Sequence, residues 1–168
     1  MATLNGCIRC IVALLAIVFA RAGSAQEDAS GKLFGSWRLI SFQLKVVGED
    51  AEPKDIFGPD PIGRIIFSPE HRVVVFISRA GRRPPTSESE AAALLSSMTA
   101  YTGKFRLEGD KFITQVDGAW NEFYHGSEQV RYFELTGDKL SIRTPEQPSG
   151  ILIGKRTVAT LVWQREAP

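Results

Sequence analysis

The feature that most constrains this chain is a pair of Gly-Asp dipeptides, each set between two runs of strand-forming residues. Lys104 to Glu108 and Lys111 to Asp117 flank Gly109-Asp110, and Glu128 to Thr136 and Lys139 to Arg143 flank Gly137-Asp138. Glycine accepts the positive φ that a two-residue turn requires, so each dipeptide predicts a tight antiparallel hairpin. Upstream, Gly35 to Val47 is a long extended run carrying Trp, Ile, Phe and Val. Arg64 to Ser68 and Arg72 to Arg79 predict a third hairpin around Pro69-Glu70-His71, and Thr157 to Arg165 closes the chain. Many short strands with hairpin turns mean an all-β sandwich or barrel, and sequential hairpins favour an eight-stranded up-and-down antiparallel barrel. A barrel of about eight strands is just wide enough to hold its own side chains or one small ligand.

Between the third and fourth strands the pattern changes. Ser87 followed by Glu90 is a capping box, and Ala91, Leu94, Leu95 and Met98 follow a helical stripe that Tyr101 or Thr102 extends. This predicts one helix, placed as a plug or lid at an end of the barrel. The stretches around it, Gly48 to Gly63 and Arg79 to Pro85, are rich in turn residues and read as loops.

The first residues read differently. Residues 11 to 20 are ten apolar residues in a row, with Arg9 before them and Gly23-Ser24-Ala25 after them. This is the pattern of a secretory signal peptide, and the run is shorter than the roughly 20 residues that a spanning helix needs. We expect a signal peptide over 1–25, a loose lead-in over 26–32 and a barrel domain over 33–166, exported to the periplasm or secreted. Contact with the membrane is then expected only through the cleaved signal. Cys7 and Cys10 leave with the signal, so no disulfide and no thiol nucleophile is expected in the mature chain. Lys+Arg falls from 20 to 18 with the loss of Arg9 and Arg21, Asp+Glu stays at 19, and the net charge becomes 18 − 19 = −1. A near-neutral domain lacks the basic face that nucleic-acid binding needs.

Several motifs then coincide. Gly35-Ser36-Trp37 at the head of the first strand looks like the G-x-W of lipocalins and the wider calycin group. Gly58-Pro59-Asp60-Pro61-Ile62-Gly63-Arg64-Ile65, Glu128 to Leu135 with Gly137-Asp138-Lys139-Leu140, and Leu161 to Arg165 complete an ordered set. Together they resemble the bacterial and fungal lipocalin-like domain family, over about residues 33 to 165. The resemblance implies a calycin-type barrel that binds a small, mostly apolar molecule. It also implies that Trp37 closes one barrel end beneath an arginine of the last strand, here Arg165 or a neighbour. The chain departs from the better-known secreted lipocalins in lacking their T-D-Y loop and their disulfides.

Strand alternation puts Gln129, Arg131, Phe133 and Leu135 on one face. If Phe133 and Leu135 point inward, so do Gln129 and Arg131. A charge inside a barrel needs a partner, so Arg131 is either the anchor for a carboxylate, phenolate or enolate, or half of a structural ion pair. Arg64 carries the same ambiguity at the barrel mouth. Tyr101, at the end of the helix, and Trp120, between the fifth and sixth strands, are candidate pocket walls or plug residues. His125 is a candidate general base, with a loop residue as the plainer alternative, and His71 is expected in solvent. No H-x-H or H-E-x-x-H spacing and no carboxylate cluster suggests a metal, and no cofactor motif is present. Arg79, Arg82 and Arg83 form a basic knot before the helix, either solvated or able to draw in anions. The expected function is binding of a small, largely apolar molecule with an acidic or enolic end, rather than catalysis. The alternatives are a cofactor-free isomerase or cyclase that uses His125, Tyr101 or Arg131 on a polyketide- or terpenoid-like substrate, and a barrel filled by its own side chains.

Overall fold

The computed structural model describes residues 30–167. Residues 30–33 are helical and belong to a unit that ends at Phe34, and the chain from Gly35 onward forms a second compact unit. The expected signal peptide lies outside the described residues. From Gly35 the elements run β1 (Gly35–Val46), β2 (Ile62–Phe67), β3 (Arg72–Ser78), α1 (Glu88–Ser96), β4 (Met98–Glu108), β5 (Lys111–Ala119), β6 (Glu128–Thr136), β7 (Lys139–Arg143), β8 (Gln147–Pro148) and β9 (Arg156–Arg165). Neighbours pair antiparallel in the order β1 to β7 and then β9, and β9 returns to pair with β1. Eight strands thus close a barrel, and the two-residue β8 adds a short pairing at one end of β9. Closure leaves no long open edge.

Both Gly-Asp dipeptides form the expected turns. Glu108 pairs with Lys111 and Thr136 with Lys139, while Gly109 and Gly137 take φ of 62° and 58°. Two irregularities curve the sheet. β1 shifts register against β9 between Leu39 and Ser41, which turns the inward set from Trp37 and Leu39 to Phe42 and Leu44. β4 shifts against β5 between Thr102 and Gly103, and a Cβ on Gly103 would lie 2.1 Å from the Gln115 carbonyl oxygen. Only glycine fits so close an approach of two backbones.

One end of the barrel is filled. Phe67 meets Phe105 and Phe112 edge-on, each at 5.2 Å between ring centres, and Trp37 and Trp163 are fully buried. The Arg165 guanidinium lies 4.0 Å over the Trp37 ring. Gly35 makes room for this: its φ is 120°, and a Cβ there would come within 3.3 Å of Arg165 Nη1. The opposite end carries the long loops and α1.

The helix departs from expectation. Ser87 caps it by accepting the Glu90 amide at 3.3 Å, and Glu90 reaches back to the Thr86 amide and hydroxyl at 2.6 and 2.8 Å. Those bonds hold the Glu90 carboxyl below the usual carboxylate range. It ends at Ser96, however, and buries none of its residues, leaving Leu95 55% exposed. Met98, Tyr101 and Thr102 belong to β4 instead. Residues 98–102 satisfy a period of two as well as the helical stripe. Pairing them with Val74 to Ser78 buries Thr99 and Tyr101, which an exposed helix would not do.

Candidate ligand-binding site

The half of the barrel nearer the loops contains a partly open cavity of about 60 Å³. Its wall takes Phe42 and Leu44 from β1, Val75 and Ile77 from β3, and Ala159 and Leu161 from β9. Polar groups interrupt this hydrocarbon: Tyr101 on β4, Arg131 on β6, the threonines Thr99, Thr144 and Thr157, and Tyr124, Gln147 and Ser149 nearer the loops.

Alternation along β6 turns Gln129 and Arg131 inward, and both are buried, Arg131 at 7% exposure. Arg131 Nη1 donates to the Val130 carbonyl at 2.7 Å, and Nη2 donates to Gln129 Oε1 at 3.0 Å. Its guanidinium carbon stands 5.9 Å from the centre of the Tyr101 ring. None of the ion pairs among the described residues includes Arg131. A guanidinium has about five N–H donors, so those two bonds leave donors on a buried cation at the cavity wall. Gln129 is itself fixed. Its Nε2 donates to Ser127 Oγ at 2.8 Å, and Ser127 Oγ donates to the Tyr124 carbonyl at 2.6 Å. This relay orients the Gln129 amide so that its oxygen, not its nitrogen, meets Arg131.

Tyr124 completes the wall from the loop between β5 and β6. Its ring lies parallel to Tyr101 at 6.0 Å and is wrapped by Trp120 at 5.0 Å and Phe123 at 5.4 Å. Burial pushes its phenol pKa up, while the Arg131 charge acts in the opposite direction. Across from it a Cβ on Gly150 would fall 2.2 Å from the Tyr124 ring, and Asn121 Nδ2 donates to the Gly150 carbonyl at 3.2 Å. The two loops are thereby matched at the cavity roof.

Of the residues singled out from the sequence, the fold brings Arg131, Gln129 and Tyr101 together. Tyr101 arrives from a strand rather than from the end of the helix. Arg64 does not reach the cavity. It follows inward Gly63, points outward, and pairs with Glu166 at 2.9 Å. Trp120 stands behind Tyr124, outside the lining, with its indole N–H directed at the Leu95 carbonyl at 3.3 Å. Phe133 is half-buried against Phe112 at 6.1 Å, also outside the lining. His125 is exposed, with Nδ1 3.1 Å from Glu122 Oε2, and faces no part of the cavity. Arg79, Arg82 and Arg83 stay on an exposed loop. Among the described residues no three His, Cys, Asp or Glu side chains cluster as metal ligands.

Tyr124 and the threonines are site residues that the sequence reading missed. Thr157 was within reach, since counting back in twos from buried Trp163 passes Leu161 and Ala159 to it. Thr99 was hidden inside the helical stripe. Tyr124 sits in a loop, where no alternation points.

A family model of the lipocalin-like domain matches residues 34–166. No curated protein matches the sequence significantly.

Proposed function

The chain belongs to the lipocalin-like domain family, and from that premise and the geometry of its cavity we propose that it binds a small, largely apolar molecule bearing an acidic or enolic end inside the barrel. The observation that carries this reading is Arg131: a buried guanidinium, outside every ion pair among the described residues, at a cavity whose other polar lining groups are all uncharged. Desolvating such a cation is costly unless an anion meets it, and its planar donors suit a carboxylate or enolate. Apolar contact with Phe42, Leu44, Ile77 and Leu161 supplies the remaining affinity.

The volume limits the ligand. At about 60 Å³ the cavity is far below the roughly 300–1,000 Å³ that holds drug-sized molecules. The ligand is therefore a compact acid or phenol, of the order of one ring. The same small volume favours the second reading, a barrel filled by its own side chains.

Native mass spectrometry of the protein purified from its exporting host separates the two. A stoichiometric small molecule, lost in Arg131→Leu, is the expected result. A bare mass, with no shift after incubation with small aromatic acids and phenols, would leave the filled barrel. We also infer export, from the apolar run at 11–20 and the small residues at 23–25. N-terminal sequencing of the exported protein is expected to begin near Gln26; a first residue of Met1 sinks that inference.

A further inference from the structure

A second, larger space lies outside the barrel interior. The 79–86 loop, α1 and the segment before β2 enclose a cleft of about 740 Å³ that is open to solvent. Its apolar lining includes Ile56, buried Phe57 and Leu94. Its rim carries Arg79, Arg82 and Arg83. Arg79 Nη2 donates to the Ile56 carbonyl at 2.9 Å, and Arg82 Nη2 donates to the Leu94 carbonyl at 3.0 Å. Those bonds tie two guanidinium groups to two different walls, and Arg82 also makes weak 3.9 Å contacts from Nη1 and Nη2 to Met98 Sδ. Among the described residues Arg83 makes no side-chain hydrogen bond, and none of the three joins an ion pair. Glu90, the acid on the rim, already accepts the Thr86 amide and hydroxyl through Oε2.

Three cations that have no carboxylate partner among the described residues, on the rim of a cleft with an apolar lining, are complementary to one kind of small ligand. We propose that this cleft binds a free single-chain amphiphile with an anionic head, a medium- or long-chain carboxylate being the simplest. The head meets the arginines, whose planar donors grip a carboxylate through paired hydrogen bonds. The chain lies over Phe57, Ile56 and Leu94. The volume is within the range of small-molecule sites, which the interior cavity is not. The cleft is separate from the cavity at Arg131, although Ile151 borders both, and its occupancy does not depend on that cavity binding anything.

The test is a calorimetric titration of the purified protein with decanoate and with 1-decanol, read alongside methyl resonances in NMR spectra. Decanoate is expected to saturate one site and to shift the methyl signals of Ile56 and Leu94. Decanol is expected to bind at least tenfold more weakly. The double variant Arg79→Gln/Arg83→Gln alters exposed side chains and gives up one exposed bond, from Arg79 to the Ile56 carbonyl, so it is expected to melt close to the wild type while losing at least tenfold in decanoate affinity. Absence of saturable binding overturns the proposal. So does full affinity in the double variant, or shifts confined to Leu44 and Ile77 inside the barrel. Inorganic phosphate binding as tightly as decanoate would mean a bare-anion site instead. Sedimentation with phosphatidylglycerol vesicles, lost in the double variant and without saturable decanoate binding, would mean a membrane surface instead.

Discussion

At the scale of single residues, the site depends on how the barrel treats one charge. Arg131 keeps two hydrogen bonds and a ring contact, but no counter-ion among the described residues. Replacing it with leucine removes a desolvated cation and those bonds together, and the two effects nearly offset. Arg131→Leu is therefore expected to change the free energy of unfolding by about 1 kcal/mol or less, read by urea titration, while abolishing ligand binding. A loss of several kcal/mol with no ligand found would identify the guanidinium as a structural strut. Tyr124 offers a second handle. Burial raises its phenol pKa in the folded state, so the unfolded chain ionises first. The stability this residue contributes is complete below the unfolded value of about 10 and is lost as pH rises through the folded one. Tyr124→Phe keeps the ring and removes the titration. Its urea midpoint is expected to fall less steeply than the wild type's between roughly pH 9 and 11. Parallel curves would show that the phenol titrates as freely in the fold as in solution.

At the scale of elements, curvature is supplied at particular points. β4 can bend around the cavity because Gly103 lets its backbone meet that of Gln115. An added Cβ, 2.1 Å from the carbonyl oxygen, forces one strand away. Gly103→Ala is expected to cost about 1–3 kcal/mol, in the range of overpacked cores, by urea unfolding. An unchanged midpoint would mean that the bulge relaxes without loss. The helix stands in contrast. Its start was readable from Ser87 and Glu90, because capping is a local hydrogen-bond pattern. Its end was not, because residues 98–102 suit both periods, and the choice was made by Val74 to Ser78 across the ladder. The helix buries no side chain, so what it contributes lies in the cleft it borders rather than in the core.

At the scale of the molecule, the barrel is filled at one end and hollow at the other. Its filled end is finished by Arg165 over Trp37, joining the last strand to the first. Arg165→Ala is expected to lower stability by about 1 kcal/mol and to redden tryptophan emission, since the cation–π contact is lost and Trp37 gains solvent. Unaltered emission and stability would mean that β1–β9 pairing alone seals that end. The amino-acid sequence by itself determined the eight barrel strands and the hairpin turns, because these follow from alternation, glycine at positive φ and local order along the chain, and its ordered motifs carried the resemblance to the family; which face of β6 points inward was left to the closed sheet. The sequence also placed Gln129 and Arg131 on one face. It did not determine that Tyr101 would face them from a strand, that Tyr124 would descend from a loop, or that Arg64 would turn outward to Glu166. Only the tertiary structure decided these points. Each depends on closure of the sheet and on register shifts at bulges, which fix distances between residues that no local period connects.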